Sequence, residues 1–158
     1  MLGIGQAQSY YHVGHLVEGD GRGHGLVRTV ADIAGKQAFG QAGVTVDDLD
    51  VAEVYDSFTI TAAVQIEDLG IAGRGEAGAF VREGNMDLGG KLPLNTHGGL
   101  LSCAHPGACG GMTHLVEGVR QVRGEAGERQ VADCELALVT SASAVTSNFS
   151  VTVLGPAS

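Results

Sequence analysis

Apolar positions in this chain follow two periods in turn. Met1–Ala7 (M-L-G-I-G-Q-A) reads as a short strand whose glycines permit close approach of a neighbouring backbone. From Thr29 to Gly43, Val30, Ile33, Ala34, Ala38 and Ala42 fall on one face at helical spacing, with Thr29 placed to cap the start and Gly43 to end it. Gly35 and Gly40 inside that helix predict tight packing against a sheet. A turn at Thr45, Asp47 and Asp48 leads into a second strand, Val51 to Tyr55, and then a helix from Phe58 to Leu69 stopped by Gly70. A shorter helix near Glu76 to Arg82 and an irregular Gly84–Pro93 connection follow. A third long helix, Met112 to Arg123, carries Met112, Leu115, Val116, Val119 and Val122 as an apolar stripe expected to face the core. Two strands, Cys134–Thr140 and Phe149–Leu154, close the pattern as a hairpin through S-A-S-A-V-T-S-N. Strands alternating with helices predict an α/β layer, and the terminal hairpin makes its sheet mixed. Nothing repeats and no linker divides the chain, so residues 1–158 read as one domain.

Composition narrows this picture. Hydrophobic residues make up 44% of the chain but aromatics only 4%, with no tryptophan, so the core must be built from Val, Leu, Ile and Ala. A formal net charge of -9 argues against nucleic acid as a partner, because phosphate binding needs clustered cations. Arg120, Arg123 and Arg129 form a solvated helix face or, at most, a local basic patch. The three cysteines follow no secretory leader pattern, and no apolar run is long enough to span a bilayer. A cytoplasmic protein with free thiols and no membrane partner is the expectation, with Cys134 a small buried hydrophobe. Cys103, Cys109, His97 and His105 lack a standard zinc spacing, so neither a metal nor a bound cofactor is expected.

Reactive side chains concentrate where regular structure is weakest. The stretch N-T-H-G-G-L-L-S-C-A-H-P-G-A-C-G-G, Asn95 to Gly111, holds two of the six histidines and two of the three cysteines among glycines. Glycine-rich loops entering a helix present successive N–H groups to an anion. The Tyr55-Asp56-Ser57 junction is a strand end giving way to a helix, the usual place for a ligand in an α/β layer. His105, held by Pro106, is a candidate general base. Bland readings stand beside these. His105 and His97 can each be structural, Cys103 is a buried or a reactive thiol, and Cys109 reads as inert. Asp56 can simply cap the helix starting at Phe58, and Tyr55 can belong to the core. The loop Tyr10–Gly25 adds Tyr10, Tyr11, His12, His15 and His24, read as mobile surface.

Asn95-Thr96-His97-Gly98-Gly99 followed by Ala104-His105-Pro106-Gly107-Ala108 resembles the thiolase signature N-x-x-G-G…G-H-P-x-G. Val51 to Phe58 (V-A-E-V-Y-D-S-F) is similar to that family's strand-to-helix element, and Leu115 to Val131 to its lipid-transfer or sterol-carrier branch. The resemblance implies a thiolase-like C-terminal domain, half of an αβαβα sandwich, acting on a coenzyme A thioester. Where thiolases carry a C-x-G loop cysteine, this chain reads Ser141-Ala142-Ser143-Ala144-Val145, and Tyr55 stands where His or Asn is usual. Tyr-Asp with G-G-L-L-S-x-A-H-P-G resembles the steroid side-chain aldolases, which cleave a β-hydroxyacyl-CoA by a retro-aldol step. The resemblance then implies Tyr55, His105 and Cys103 as catalytic residues, Cys103 replacing a second tyrosine. Asp56, Asn95, His97, Gly98, Gly99 and Gly107 would shape the substrate site. Implied partners are an N-terminal thiolase half or a second copy in a homo-oligomer, and an OB-fold/zinc-ribbon protein. The rival readings are half of an acyl-CoA thiolase or acyltransferase, and a non-catalytic assembly subunit.

Overall fold

A computed structural model describes residues 1–9, 27–143 (the Ala108 side chain apart) and 147–156. The Tyr10–Gly25 loop and residues 144–146 therefore lie outside the described residues. Four strands form one mixed sheet: β1 (Gly3–Gln8), β2 (Val51–Glu53), β3 (Ala137–Ser143) and β4 (Asn148–Leu154), in the order β1-β4-β3-β2. β4 runs antiparallel to both β1 and β3, and β2 runs parallel to β3. The helices are α1 (Ala31–Ala42), α2 (Thr59–Asp68), α3 (Ala77–Arg82), α4 (Gly99–Ser102) and α5 (Gly110–Val122).

One sheet face packs on α1 and α2. Ala34 and Ala38 of α1, Ile66 of α2 and Leu138, Phe149, Val151 and Val153 of the sheet share this core. Small residues set the spacing. A Cβ at Gly5 or Gly3 of β1 would collide with the carbonyl oxygens of Ala34 or Ala38, so the helix lies directly on the strand backbone. Thr29 ties this layer together. Its hydroxyl accepts from the Ala31 N–H at the start of α1, and its own N–H and O–H donate to Asp68 of α2 at 2.8 and 2.6 Å. Gly43, at φ 71°, closes α1 as its sequence position predicts. Gly35 meets Leu69 rather than the sheet, and a Cβ at Gly40 would meet nothing within 4 Å.

The other face carries α5 over β2 and β3, where Val51, Ala137, Val139 and Leu154 meet Leu115, Val119 and Val122. Helices on both faces of a mixed sheet match the expected architecture. The expected apolar stripe is only half right, however. Met112 and Val116 are 56% and 45% exposed, while His114, Glu117, Gly118 and Gln121 are buried. The helix is rolled so that a polar stripe faces inward, because buried partners await it near β2. Beyond α5, no helix among the described residues covers the outward side of β1 and β4: Ile4 is 48% exposed and Ser150 and Thr152 are half-buried.

Element limits shift in places. β2 ends at Glu53 rather than Tyr55, since the chain there turns to pair with Asn95. β3 begins three residues after Cys134 and continues through Ser141–Ser143, which pair with Asn148–Ser150. Replacing Gly5 by alanine is expected to destabilise the protein by about 1–3 kcal/mol, because the obstacle is rigid backbone. Gly40→Ala, with open space around the added methyl, is expected to be neutral or to stabilise by up to about 1 kcal/mol. Urea midpoints of the two variants check both; equal effects would contradict the packing argument.

Candidate active site

Tyr55 leaves the end of β2 with its main chain pinned on both sides. Its N–H donates to Thr140 Oγ1 at 2.9 Å, and its carbonyl accepts from Gln65 Nε2 at 2.6 Å. Thr140 in turn donates to Gln65 Oε1 at 2.7 Å, so strand β3 and helix α2 hold this residue through two fully buried side chains. Its phenol oxygen lies 3.2 Å from His105 Nε2, with the two rings edge-on at 80°. Fifty residues of sequence thus close onto one contact. Gly110, the first residue of α5, packs beside it: a Cβ there would stand a tight 3.1 Å from His105 Cδ2 and in ordinary contact, 3.4 Å, with Tyr55 Cε2. Burial and then the neighbouring Asp56 charge raise the Tyr55 pKa above its ordinary value, so the phenol keeps its proton.

Asp56 does not cap α2. Thr61 serves that end, its hydroxyl accepting from the Phe58 N–H and donating to the Phe58 carbonyl. The Asp56 carboxylate turns instead to accept the Leu100 N–H at 2.7 Å, under the turn formed by Gly98 and Gly99. Gly99 stands at φ 64°, and a Cβ on it would strike that carboxylate. Asn95, at φ 51°, spends its amide on the Val54 backbone, accepting from its N–H at 2.7 Å and donating to its carbonyl at 2.9 Å. His97 points inward, Nδ1 2.9 Å from Glu53 Oε2, with its side chain 8% exposed. Gly107 adopts φ 61° with open space beside it. Cys103, at the end of α4, and Cys109 are exposed free thiols.

Behind the Tyr55–His105 contact lies a buried polar network. Glu53 is fully buried. Its Oε1 accepts from the Thr96 N–H and hydroxyl at 3.1 and 2.9 Å, and its Oε2 faces His97 Nδ1 and, at 3.6 Å, His114 Nδ1. The other His114 nitrogen, Nε2, lies 3.4 Å from Asp56 Oδ1. Thr96 Oγ1 also stands 3.0 Å from Glu117 Oε1 and accepts from Gln121 Nε2 at 2.9 Å. Arg129 closes the chain with paired donations to Glu117, both at 3.1 Å, so it is a structural counter-charge rather than a solvated face. The imidazoles meet the carboxylates at ion-pair distance but without aligned N–H···O geometry, so the attraction is chiefly electrostatic. Burial pushes the Glu53 and Asp56 carboxyls up, but the histidines, with Thr96 and the Leu100 N–H, outweigh it and hold both below their ordinary range. Burial pulls His114 down, yet the two carboxylates prevail and its pKa is raised. Donor atoms of Glu53, His97 and His114 lie within 4.8 Å of one another, close enough to share an ion.

A cavity of 510 Å³ opens next to this network. Asp56, Asn95 and Gly98 form its polar end, and Ile66, Val81 and Leu101 contribute to its apolar wall. The arrangement offers a phenol and an imidazole in contact, a neighbouring carboxylate, and an apolar chamber. Sequence reasoning missed Glu53, Thr96, His114, Glu117 and Gln121. One signal was present: a lone acid inside V-A-E-V-Y, with His114, Glu117 and Gln121 spaced along one helix face.

Comparison with known proteins places the chain by family and fold. A family model described as thiolase C-terminal domain-like matches residues 21–156. The 17-hydroxy-3-oxo-4-pregnene-20-carboxyl-CoA lyase of Mycobacterium tuberculosis is 42% identical over 113 residues, 72% of this chain and 28% of that protein. A steroid side-chain-cleaving aldolase of Thermomonospora curvata is 41% identical over the same shares. A solved structure described as an Ltp2-ChsH2(DUF35) aldolase superposes with a TM-score of 0.80 at 32% identity, covering 97% of this chain and 38% of that one. The chain thus spans about 28% of the length of these two curated relatives.

The ion pairs impose a pH signature on stability. Glu53 and Asp56, with depressed folded values, contribute stability above about pH 4.5 that is lost as pH falls further. His114, with a raised folded value, contributes fully below about pH 6.5 and loses its contribution as pH rises through the folded pKa. Urea midpoints measured against pH are expected to peak between these limits, and His114→Gln is expected to flatten the alkaline limb. An alkaline limb identical in both proteins would show that His114 is not held as a cation.

Proposed function

The chain belongs to the thiolase C-terminal domain-like family, and on that premise we propose that it is the C-terminal part of an enzyme cleaving a β-hydroxyacyl-CoA by a retro-aldol step. The substrate carries a steroid or comparable lipid side chain as its coenzyme A thioester. The contact of Tyr55 Oη with His105 Nε2 at 3.2 Å carries this reading. Two named relatives that cleave steroid side chains support it.

The chemistry needs little. A base removes the β-hydroxyl proton, the oxygen collapses to a carbonyl, and the Cα–Cβ bond breaks. Its electron pair passes to the thioester as an enolate, which then takes a proton at Cα. Tyr55 is a poor base alone, because burial and Asp56 favour its neutral phenol. With His105 in contact, the phenol can pass its proton to Nε2 as it accepts the substrate's, so the pair acts as one relay. Cys103 borders the same stretch as a further proton donor, and Gly98, with Asp56 and Asn95, lines the chamber that takes the acyl group.

The reading treats residues 1–158 as a single thiolase-like domain that is incomplete by itself. An N-terminal half or a second copy would cover the outward side of β1 and β4 at Ile4, together with the exposed Met112 and Val116 of α5. An OB-fold/zinc-ribbon protein is the proposed further partner in the coenzyme A pocket. Among the described residues no helix is long and apolar enough to cross a membrane, and three free cysteines favour the cytoplasm.

In the assembled enzyme, Tyr55→Phe and His105→Ala are each expected to lower kcat for carbon–carbon cleavage by about 10²–10⁴-fold. Thioester binding, measured by calorimetry, should persist. Cleavage at the wild-type rate in both variants would remove them from the reaction, and turnover by this chain alone would refute its incompleteness.

A further inference from the structure

His114 has no place in the relay, yet its ring is fully buried in the middle of the site. Two carboxylates and two aromatic rings surround it. Glu53 of β2 faces Nδ1 at 3.6 Å, and Asp56 faces Nε2 at 3.4 Å. The Tyr55 ring lies 6.2 Å away centre to centre, and the His97 ring 5.1 Å away at 87°. The two carboxylates belong to the same strand exit, three residues apart, and the imidazole stands between them.

Asp56 is the link to the reacting pair. It follows Tyr55 directly, and its carboxylate holds the Leu100 N–H at 2.7 Å, at the first turn of α4. The residues that follow α4 lead within three positions from Ser102 to His105. One carboxylate therefore joins the segment carrying the phenol to the segment carrying the imidazole. Without His114 that buried carboxylate would keep one backbone N–H and lose the ring that faces it at 3.4 Å, and nothing would separate it from Glu53.

We propose that His114 is a positioning residue, clamped between Glu53 and Asp56, which fixes Asp56 under the Gly98–Gly99 turn and so holds Tyr55 against His105. The inference rests on the reading of Tyr55 and His105 as the reacting pair. It assigns His114 no contact with substrate.

The test uses the assembled enzyme with His114→Ala, His114→Gln, Asp56→Asn and the His114→Ala/Asp56→Asn double variant. His114→Ala is expected to lower kcat by about 10- to 100-fold, the scale of a small misplacement of reacting groups, with KM changed less than about threefold. Glutamine, whose amide can still donate to one carboxylate, should restore part of the rate. Asp56→Asn should reproduce the loss, and the double variant should fall little below either single one, since both break one link. Crystal structures should show Asp56 released from Leu100 in the His114→Ala variant and the Tyr55–His105 contact opened beyond 3.2 Å in both His114→Ala and Asp56→Asn. Normal kcat with only a lowered denaturation midpoint, strictly additive losses, or an undisturbed Tyr55–His105 contact would each overturn the proposal. If the wild-type enzyme cleaves no β-hydroxyacyl-CoA, the functional reading fails, and the crystallographic comparison still decides the role of His114. Should the alanine variant not fold, glutamine and Asp56→Asn carry the same comparison.

Discussion

The burial of one carboxylate organises this structure. Glu53 sits in the short strand β2 with no exposure to solvent, and an ionised acid there is tolerable only with charge and hydrogen bonds brought to it. Two histidines and both donors of Thr96 supply them. Meeting that demand dictates the setting of α5, which must turn His114 and its polar neighbours toward β2 and so leaves Met112 and Val116 outside. It also dictates the path after β2, because His97 and Thr96 can reach Glu53 only if Asn95 takes its left-handed conformation and bonds the Val54 backbone. The turn that follows then falls over Asp56. Packing and site chemistry are two results of the same electrostatic requirement.

Much of the architecture was legible because it rests on local pattern. The glycines of β1 and the alanine face of α1 announce close contact between strand and helix, and their atoms meet backbone to backbone. The order of strands and helices followed from the alternation of periods. What escaped was whatever depends on a distant partner. Ser141–Ser143 carry no strand signal of their own, yet the hairpin pairs them with Asn148–Ser150. The apolar stripe of α5 suggested an inward face, and the rule that apolar residues go inside failed because buried acids on β2 competed for the same helix.

The candidate site divides the same way. Tyr55 and His105 were recognisable through a family motif, since no local rule brings residues fifty positions apart into contact. Asp56 looked like a helix cap on spacing, but Thr61 was a nearer donor and acceptor for Phe58. His97 looked like a pocket residue because it lies in a glycine-rich stretch, whereas the pull of Glu53 takes its ring inward. The glycines themselves answer why reactive groups gather there. At Gly99 the missing side chain leaves the Asp56 carboxylate its place, and at Gly110 it spares His105 a tight contact.

Thr96 adds a last consequence. Its hydroxyl lies 2.9 Å from Glu53 and 3.0 Å from Glu117, and it already accepts from Gln121. One hydrogen cannot serve two acids at once. The row of polar groups from Arg129 inward therefore has two orientations, differing only in which way a single O–H points. A rotation of that bond moves the shared hydrogen from a surface-anchored glutamate to the innermost one, so the interior has a hinge made of one atom, with no backbone motion required.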